Sequence, residues 1–345
     1  MLGIVSPQGQ SVPPLRLSTK SIPSLLAVCA LALLLAGCGA TVTGLGPAQG
    51  PARLDDGAGF TAADGTNLPT TIWRPPAGTP TRAVILALHG FNDYAHAFAL
   101  PAPFWASRGI VTYAFDQRGF GRSPTARLWP GEEALVADAE AMVRLVARRH
   151  PGVPLYLLGE SMGGAVAMLS LARDPTLPVA GVVLLAPAVW RAEDIPFPGE
   201  ILLETFAFLM PWNPMTPPDG LRIAPTDNRD EMAAMSRDPL MIKGTRTDAV
   251  LGLVRLMEAA AETGVPRDRP VLLLYGLRDE VVRFRSMVPL VARARRDNPR
   301  YREVWYDRGY HLLLRDRQGP RAWRDVAAFV LDPDAPTASD ALNRP

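Results

Sequence analysis

Residues 155–168, LYLLGESMGGAVAM, contain the pattern that decides the fold. The apolar run Leu155–Leu158 leads into the pentapeptide Gly159–Gly163, and a second apolar segment follows at Ala165–Ala172. This order predicts a short buried strand that turns sharply into a helix, with Ser161 at the turn. Glycines on either side of a serine allow the strand and helix backbones to approach closely. We therefore interpret Ser161 as a nucleophile rather than as part of an ordinary glycine-rich turn.

Apolar runs of strand length lie on both sides of this segment, and helical stretches separate them. The clearest helix is predicted over Glu132–Arg149, where Leu135, Ala139, Met142 and Val146 share one face. Such alternation predicts an α/β fold, with a mostly parallel central sheet and helices on both faces. Ligands bind at the carboxyl ends of the strands in sheets of this kind. The runs are Ala83–Leu88, Ile110–Phe115, Leu155–Leu158, Val182–Ala186, Val271–Tyr275 and Glu303–Tyr306, preceded by a hairpin over Phe60–Trp73.

A serine nucleophile needs a base that takes its proton and an acid that orients the base. After a strand–turn–helix nucleophile of this type, the acid comes next along the chain and the base comes last. Only one histidine follows Ser161, so His311 is the candidate base. Asp279 lies in a loop after a predicted strand and is the candidate acid, with Glu280 as the nearest competitor. Two other carboxylates, Asp194 and Asp248, fall in a segment that is poorly placed for this role.

Two backbone N–H groups are expected to form an oxyanion hole. One belongs to Met162, directly after the nucleophile, and the other to Phe91, in the loop after Ala83–Leu88. His89 in the same loop is interpreted as a structural hydrogen-bonding residue. The glycine-rich loop Asp116–Ser123 lacks the pattern of a phosphate loop and is expected to shape the edge of the site.

The segment from Trp190 to about Val265 shows no clear strand and is expected to form an inserted helical cap. Its large apolar residues are expected to pack mainly within the cap, and the alternative is that they line an acyl pocket. They include Phe197, Phe206, Phe208, Met210 and Trp212.

The N-terminal segment is typical of a secretory signal. Arg16 and Lys20 precede an apolar run over about Leu25–Leu35, which is short for a permanent membrane span. Small residues before Cys38 resemble a bacterial lipobox, so acylation of Cys38 is predicted, with ordinary signal cleavage and an uncleaved anchor as alternatives. Because Gly39 follows, the resemblance to lipoprotein sorting rules indicates the outer membrane, facing the periplasm. We expect a signal peptide at 1–37, a flexible tether at 38–55, a catalytic body at 56–331 and a loose tail at 332–345.

Composition excludes several classes of protein. The 345 residues include 48% hydrophobic and 20% charged residues, which suits a globular core. A formal net charge of +2 gives no sign of a nucleic-acid surface. The two cysteines, Cys29 and Cys38, leave none in the body, and no metal-ligand spacing is present. We expect no cofactor and no metal, and the sequence leaves the oligomeric state open.

Together these residues resemble the monoacylglycerol lipase and lysophospholipase-like, serine aminopeptidase-type branch of the α/β-hydrolase superfamily. The resemblance covers about Phe60 to Leu331. It rests on His89–Phe91, Asp116–Ser123, Gly159–Gly163, Leu185–Pro187, Arg237–Leu240, Gly276–Val282 and Gly309–His311.

The resemblance implies an enzyme that hydrolyses esters of single acyl chains, held at a membrane surface by its lipidated N-terminus. A peptidase or an acyltransferase with the same triad is the second hypothesis. A non-catalytic envelope binding protein is the third, and the complete set Ser161, Asp279 and His311 argues against it.

Overall fold

A seven-stranded sheet forms the centre of the computed structural model, which describes residues 41–57, 59–190, 198–216, 223–336 and 339. The strands of the described chain are β1 (Arg53–Asp55), β2 (Gly59–Thr61), β3 (Asn67–Leu68), β4 (Thr70–Trp73), β5 (Ala83–Leu88), β6 (Ile110–Phe115), β7 (Leu155–Glu160), β8 (Gly181–Leu185), β9 (Pro214–Met215), β10 (Thr245–Arg246), β11 (Val271–Gly276) and β12 (Tyr301–Tyr306). In the large sheet the order is β12-β11-β8-β7-β5-β6-β4. All neighbours pair in parallel except β4, which runs antiparallel to β6 at one edge. The predicted α/β fold with a mostly parallel sheet is confirmed.

Helices cover both faces of this sheet. They are α1 (Pro101–Ala106), α2 (Glu132–Arg149), α3 (Met162–Arg173), α4 (Gly199–Leu209), α5 (Arg229–Arg237), α6 (Thr247–Thr263), α7 (Phe284–Asp297) and α8 (Gly319–Leu331), with a 3-10 turn at Ala95–Phe98. Alternate residues of β5 enter different cores, because successive side chains of a strand point to opposite faces. Val84 and Leu86 pack in the core under α2 and α3, whereas Ile85 packs in the core with Trp105 of α1 and Phe329 of α8.

Predicted and observed strand bounds agree closely where the apolar run is continuous. The bounds of β5 and β6 are as predicted, and β7 continues two residues further, through Glu160.

The hairpin prediction is only partly right. Strands β2 and β3 do pair around Asp64, but Thr70–Trp73 forms β4 and joins the large sheet instead. The alternating pattern of Thr70–Trp73 does not reveal its partner, which lies about 40 residues further along the chain.

The segment expected to be a cap contains α4, α5 and α6 in its described part. It also contains β9 and β10, which pair antiparallel, so the expectation of no strand there is wrong. Each of these strands has two residues, which is too short to leave a pattern in the sequence. No helix of the described chain is long and apolar enough to cross a membrane.

The predicted tether is not free over its described part. Val42 forms a parallel bridge with Trp129, and the N–H of Thr43 donates to the Trp129 carbonyl oxygen at 3.0 Å. Arg53–Asp55 forms β1, which pairs with β2. The C-terminal segment is also not loose throughout, since Ser339 is buried and both its N–H and its hydroxyl donate to Asp325. The tether was predicted to be flexible from its Gly, Pro and Ala content. That content does not reveal its backbone contacts with Trp129 and β2. The predicted signal peptide and Cys38 lie outside the described residues.

One buried ion-pair network holds the loop after β6 in place. Arg118 donates from Nε to Asp138 Oδ2 of α2 at 2.9 Å and from Nη1 to Asp64 Oδ2 of the β2–β3 hairpin at 2.8 Å. All three side chains are at most 4% exposed. The glycine-rich loop is therefore fixed to a helix and to a hairpin by one guanidinium group.

We predict that Arg118→Leu lowers the free energy of unfolding by about 3–5 kcal/mol, because two buried carboxylates lose their partner. Urea denaturation followed by circular dichroism measures this difference. The exposed Arg148→Leu is the matched control and should change stability by no more than about 0.5 kcal/mol. Equal effects of the two substitutions would contradict the network's role.

Candidate active site

Ser161 occupies a strained backbone turn between β7 and α3. Its φ is 52° and its ψ is −117°, in a region that residues with a Cβ rarely adopt. Two hydrogen bonds of its own peptide groups hold this conformation: its N–H donates to the Leu185 carbonyl oxygen, and its carbonyl oxygen accepts from the Ala188 N–H, each at 2.9 Å. Strain that is held by surrounding structure is typical of functional positions.

The flanking glycines permit this turn, as the sequence predicts. A Cβ on Gly163 would lie 2.1 Å from the Leu88 carbonyl oxygen of β5. A Cβ on Gly159 would lie 2.3 Å from the Gly163 carbonyl oxygen. Both distances are far below van der Waals contact, so any larger side chain would force the strand and the helix apart.

The predicted acid and base are hydrogen bonded to each other. His311 Nδ1 lies 2.7 Å from Asp279 Oδ2, and the two side chains are 6% and 0% exposed. The N–H groups of Val281 and Val282 donate to the other carboxylate oxygen at 2.8 and 2.9 Å, which fixes the carboxylate. Because Nδ1–H is donated to Asp279, Nε2 of a neutral imidazole carries the lone pair that can accept a proton.

Glu280, the competing acid, is exposed and accepts a hydrogen bond from the Ala224 N–H at 3.1 Å. Of the two carboxylates, Asp279 is the one that binds His311. Asp248 lies at the first turn of α6, where it pairs with Arg246, and Asp194 lies outside the described residues.

Electrostatics around His311 favour its charged form. Burial alone would lower the pKa of His311, but the Asp279 carboxylate and its hydrogen bond raise the pKa above the ordinary value of 6.5.

The three candidate residues all follow the carboxyl ends of strands in one sheet: Ser161 after β7, Asp279 after β11 and His311 after β12.

The loop after β5 passes close to Ser161. A Cβ on Gly90 would lie 3.3 Å from Ser161 Cβ and 3.9 Å from Ser161 Oγ. The next residue, Phe91, is held by ring contacts with Phe120 and Trp129, with centroids 5.5 and 6.2 Å apart. Met162, which carries the other predicted oxyanion donor, is the first residue of α3. The two predicted N–H groups therefore belong to backbone segments that adjoin Ser161.

His89 has a hydrogen-bonding role that fits its structural interpretation. Its Nε2 accepts from the Gln117 N–H at 2.9 Å, so its Nδ1 donates to the Gly90 carbonyl oxygen at 2.8 Å. Burial lowers the pKa of His89, which keeps the ring neutral. The ring therefore links the loop after β5 to the loop after β6.

Two buried charged groups near the site, Asp93 and Arg315, are not indicated by any sequence pattern. Arg315, four residues after the candidate base, donates from Nη2 to Asp93 Oδ2, and both side chains are at most 5% exposed. Asp93 also accepts from the Tyr94 N–H at 2.8 Å. This pair ties the loop that carries Phe91 to the loop that carries His311. A charged residue inside each motif was the available signal, but the sequence alone does not show that the two meet.

A cavity of about 310 Å³ opens beside the acid loop. Its lining includes Val189 and Trp190 from the loop after β8, Val281 and Val282 from the acid loop, and Met257 from α6. A larger cavity of about 450 Å³ lies near the start of β7 and β11, at the opposite edge of the sheet from the candidate triad. We associate the smaller cavity with the site because it is lined by Val281 and Val282, whose N–H groups donate to the Asp279 carboxyl group. Within the described ranges, no group of three or more His, Cys, Asp or Glu residues is arranged to hold a metal ion.

Comparison with known proteins identifies the family. The profile described as "Serine aminopeptidase, S33" matches residues 79–318, which is more than half of the chain. The chain belongs to this family.

Sequence relatives of this S33 family member include the monoacylglycerol lipase of Mycolicibacterium smegmatis, 26% identical over 79% of this chain and 95% of that protein. The monoglyceride lipase of Mus musculus is 28% identical over 74% of this chain and 82% of that protein. Among solved structures, the monoglyceride lipase of Saccharomyces cerevisiae superposes with a TM-score of 0.67 at 18% identity and covers 85% of this chain and 97% of its own. The monoacylglycerol lipase of Paleococcus ferrophilus gives 0.63 at 21% identity, over 78% and 100%. These structural likenesses establish the α/β-hydrolase fold.

The strain at Ser161 predicts a difference between two substitutions that both remove the hydroxyl group. Ser161→Gly should be more stable than Ser161→Ala by about 1 kcal/mol, because glycine adopts φ 52° without strain, and this gain exceeds its larger loss of backbone entropy on folding. Thermal unfolding of the two variants measures the difference. An alanine variant as stable as the glycine variant would show that the turn is not strained.

Proposed function

We propose that this chain hydrolyses carboxylic esters of single acyl chains, of the monoacylglycerol or lysophospholipid type, through an acyl-enzyme at Ser161. The general class, a carboxylic ester hydrolase, is supported by the S33 family match and by the two lipases similar to it over three quarters of its length. The observation that carries the mechanism is the hydrogen bond between His311 Nδ1 and Asp279, on the same edge of the sheet as Ser161.

In the first half of the reaction, Ser161 Oγ attacks the ester carbonyl carbon while His311 Nε2 takes the hydroxyl proton. Asp279 remains ionised and stabilises the imidazolium. The carbonyl oxygen becomes an oxyanion, which accepts hydrogen bonds from the N–H groups of Phe91 and Met162. When the C–O bond breaks, the imidazolium returns its proton to the leaving alcohol, and the acyl group stays on Ser161.

In the second half, water attacks the acyl-serine and His311 takes one of its protons. The tetrahedral species collapses, the carboxylic acid is released and Ser161 Oγ recovers its proton from His311. No step needs a redox group or a cofactor.

The cavity beside the acid loop has an apolar part that suits an acyl chain. Val189 adjoins Ala188, whose N–H donates to the Ser161 carbonyl oxygen, so this wall of the cavity is one residue along the chain from a backbone contact of Ser161. Val281 and Val282 form another wall, next to Asp279. The lining also includes Glu280, Arg283, Arg285 and Ser286, so an acyl chain placed here would contact apolar side chains on one part of the lining and polar or charged side chains on another.

The test compares Ser161→Ala with wild type on monoacylglycerols, lysophospholipids and short aryl esters. We expect kcat/KM to fall by at least about 1,000-fold, since the attacking atom is lost. The exposed Ser107→Ala is the control and should retain wild-type rates. Near-normal turnover of an aryl ester by Ser161→Ala would rule out the acyl-serine mechanism.

Two further measurements separate the alternatives. Release of amines from peptides, or transfer of the acyl group to an added alcohol in preference to water, would favour a peptidase or an acyltransferase. Failure of wild-type protein to react with a fluorophosphonate probe, while Ser161 is present, would favour a non-catalytic binding protein.

We further propose that acylated Cys38 tethers the enzyme to a membrane surface in the bacterial envelope, the outer membrane facing the periplasm. The described chain begins close to an apolar surface. The Thr41 N–H donates to Asp248 Oδ2 at 3.1 Å, and the Asp248 N–H donates to the Pro211 carbonyl oxygen at 3.2 Å. Pro211 lies two residues after the end of α4, where Phe206 and Phe208 are 51% and 50% exposed.

Cys38 precedes Thr41 by three residues, which span at most about 10 Å. An acyl chain on Cys38 would therefore hold the bilayer near the end of α4, and the exposed apolar side chains there could enter the lipid interface. The exposed set in this region is Ile201, Leu202, Phe206, Phe208, Leu209, Met210, Trp212 and Met215.

We predict that Cys38→Ser abolishes fatty-acid labelling and moves a large share of the enzyme from the membrane fraction to the supernatant. Adding Phe208→Ser and Trp212→Ser should release what remains bound, whereas adding Leu100→Ser and Val288→Ser, exposed apolar residues outside this set, should not. Unchanged labelling of Cys38→Ser would contradict the lipid anchor. Equal release by the two added pairs would contradict the role of the α4 surface.

A further inference from the structure

The residue before the nucleophile, Glu160, is a buried carboxyl group that the mechanism above does not use. It ends β7, is 0% exposed, and pairs in register with Leu185 of β8. Neither of its side-chain oxygens has a hydrogen-bond partner among the described residues. Buried polar atoms are nearly always hydrogen bonded, so an unpaired carboxyl beside a nucleophile calls for a functional explanation.

The charges that act on Glu160 come from the two loops that adjoin Ser161. Arg315, Asp316 and His311 lie in the loop after β12, and Asp93 lies in the loop after β5. Arg315 is paired with Asp93, and Asp316 accepts hydrogen bonds from the Tyr310 N–H and the Thr226 hydroxyl group. Three further carboxylates act on these neighbours of Glu160. Asp279 raises the pKa of His311, Glu231 of α5 raises the pKa of Arg315, and Asp227 raises the pKa of Asp316 by its charge.

We propose that Glu160 is a positioning residue whose buried carboxyl group exchanges a proton with solvent and thereby changes how tightly His311 holds its own proton. The proposal rests on the function assigned above, because it requires His311 to be the catalytic base. Glu160 itself touches no reacting atom in the mechanism. It acts through the imidazole.

The physical basis is the low polarity around the carboxyl group. Burial raises the pKa of Glu160 to about 7, since a carboxylate without hydrogen-bond donors is poorly stabilised there. Near neutral pH the group therefore passes from the neutral acid to the anion. The anion raises the pKa of His311, because a nearby negative charge stabilises the imidazolium. Two groups that interact in this way titrate as a coupled pair.

The charge on Glu160 determines the direction in which the pH profile should move. The base works in its neutral form, so activity is lost as pH falls through the pKa of His311. Glu160→Gln keeps the size of the side chain but removes the charge, so the pKa of His311 falls. We therefore expect the acid limb of the pH profile of kcat/KM to move to lower pH by about 0.5–1 unit.

The experiment measures kcat/KM for a short aryl ester from pH 5 to 9 with the full-length wild type, Glu160→Gln and Glu133→Gln. Glu133 is an exposed residue in the first turn of α2, so its substitution removes the same charge away from the site. Glu133→Gln should leave the acid limb unchanged. A loss of rate at every pH in Glu160→Gln, with no shift of the limb, would indicate a packing role and overturn the proposal.

A measurement on wild-type protein keeps the proposal testable if Glu160→Gln does not fold. With glutamate residues labelled with ¹³C at the side-chain carboxyl, infrared spectroscopy distinguishes them from Asp316, whose pKa is raised to about 6. We expect the carbonyl stretch of a buried, protonated glutamic acid at pH 6, and its loss by about pH 8. Absence of this band at pH 6 would overturn the proposal.

Failure of this inference is distinguishable from failure of the proposed function. An inactive Ser161→Ala together with an unshifted Glu160→Gln would leave the hydrolase mechanism intact and remove only the role of Glu160. An active Ser161→Ala would remove both.

Discussion

The strained turn at Ser161 is the constraint on which the rest of the structure depends. Its backbone can hold φ 52° only because β8 and the loop after it bind both of its peptide groups. The close approach of β5, β7 and α3 leaves no room for a Cβ at Gly159 or Gly163. The same contacts therefore fix Ser161, the candidate nucleophile, at the edge of the sheet, and the helix beginning at Met162 directs its first N–H groups toward that edge.

Charge is distributed unevenly around this turn. The Asp279 carboxyl group accepts hydrogen bonds from two backbone N–H groups and from His311. Glu160 has no such donors among the described residues, and its pKa is raised to about 7. Two carboxyl groups near one imidazole thus have opposite hydrogen-bonding environments.

The cap segment links the site to the beginning of the described chain. Asn92, next to Phe91, donates from Nδ2 to the Thr245 hydroxyl group at 2.7 Å, and its carbonyl oxygen accepts from the Ile242 N–H. Asp248 of the same segment binds the Thr41 N–H. One short stretch of chain therefore contacts both the loop expected to form the oxyanion hole and the first described residues.

The sequence alone determined the fold class, most strand bounds, the candidate nucleophile and the candidate base, because these depend on local patterns: continuous apolar runs, helical periodicity, a glycine-flanked serine between a strand and a helix, and a single histidine after that serine. It did not determine the partner of β4, the pairing of β9 with β10, the docking of Val42 on Trp129, or the meeting of Arg315 with Asp93. Each of these joins segments that are distant along the chain, through backbone groups or single charges that leave no periodic signal. The choice of Asp279 over Glu280 shows the same limit: adjacent carboxylates are equivalent in a sequence, and only the folded loop decides which one faces the imidazole.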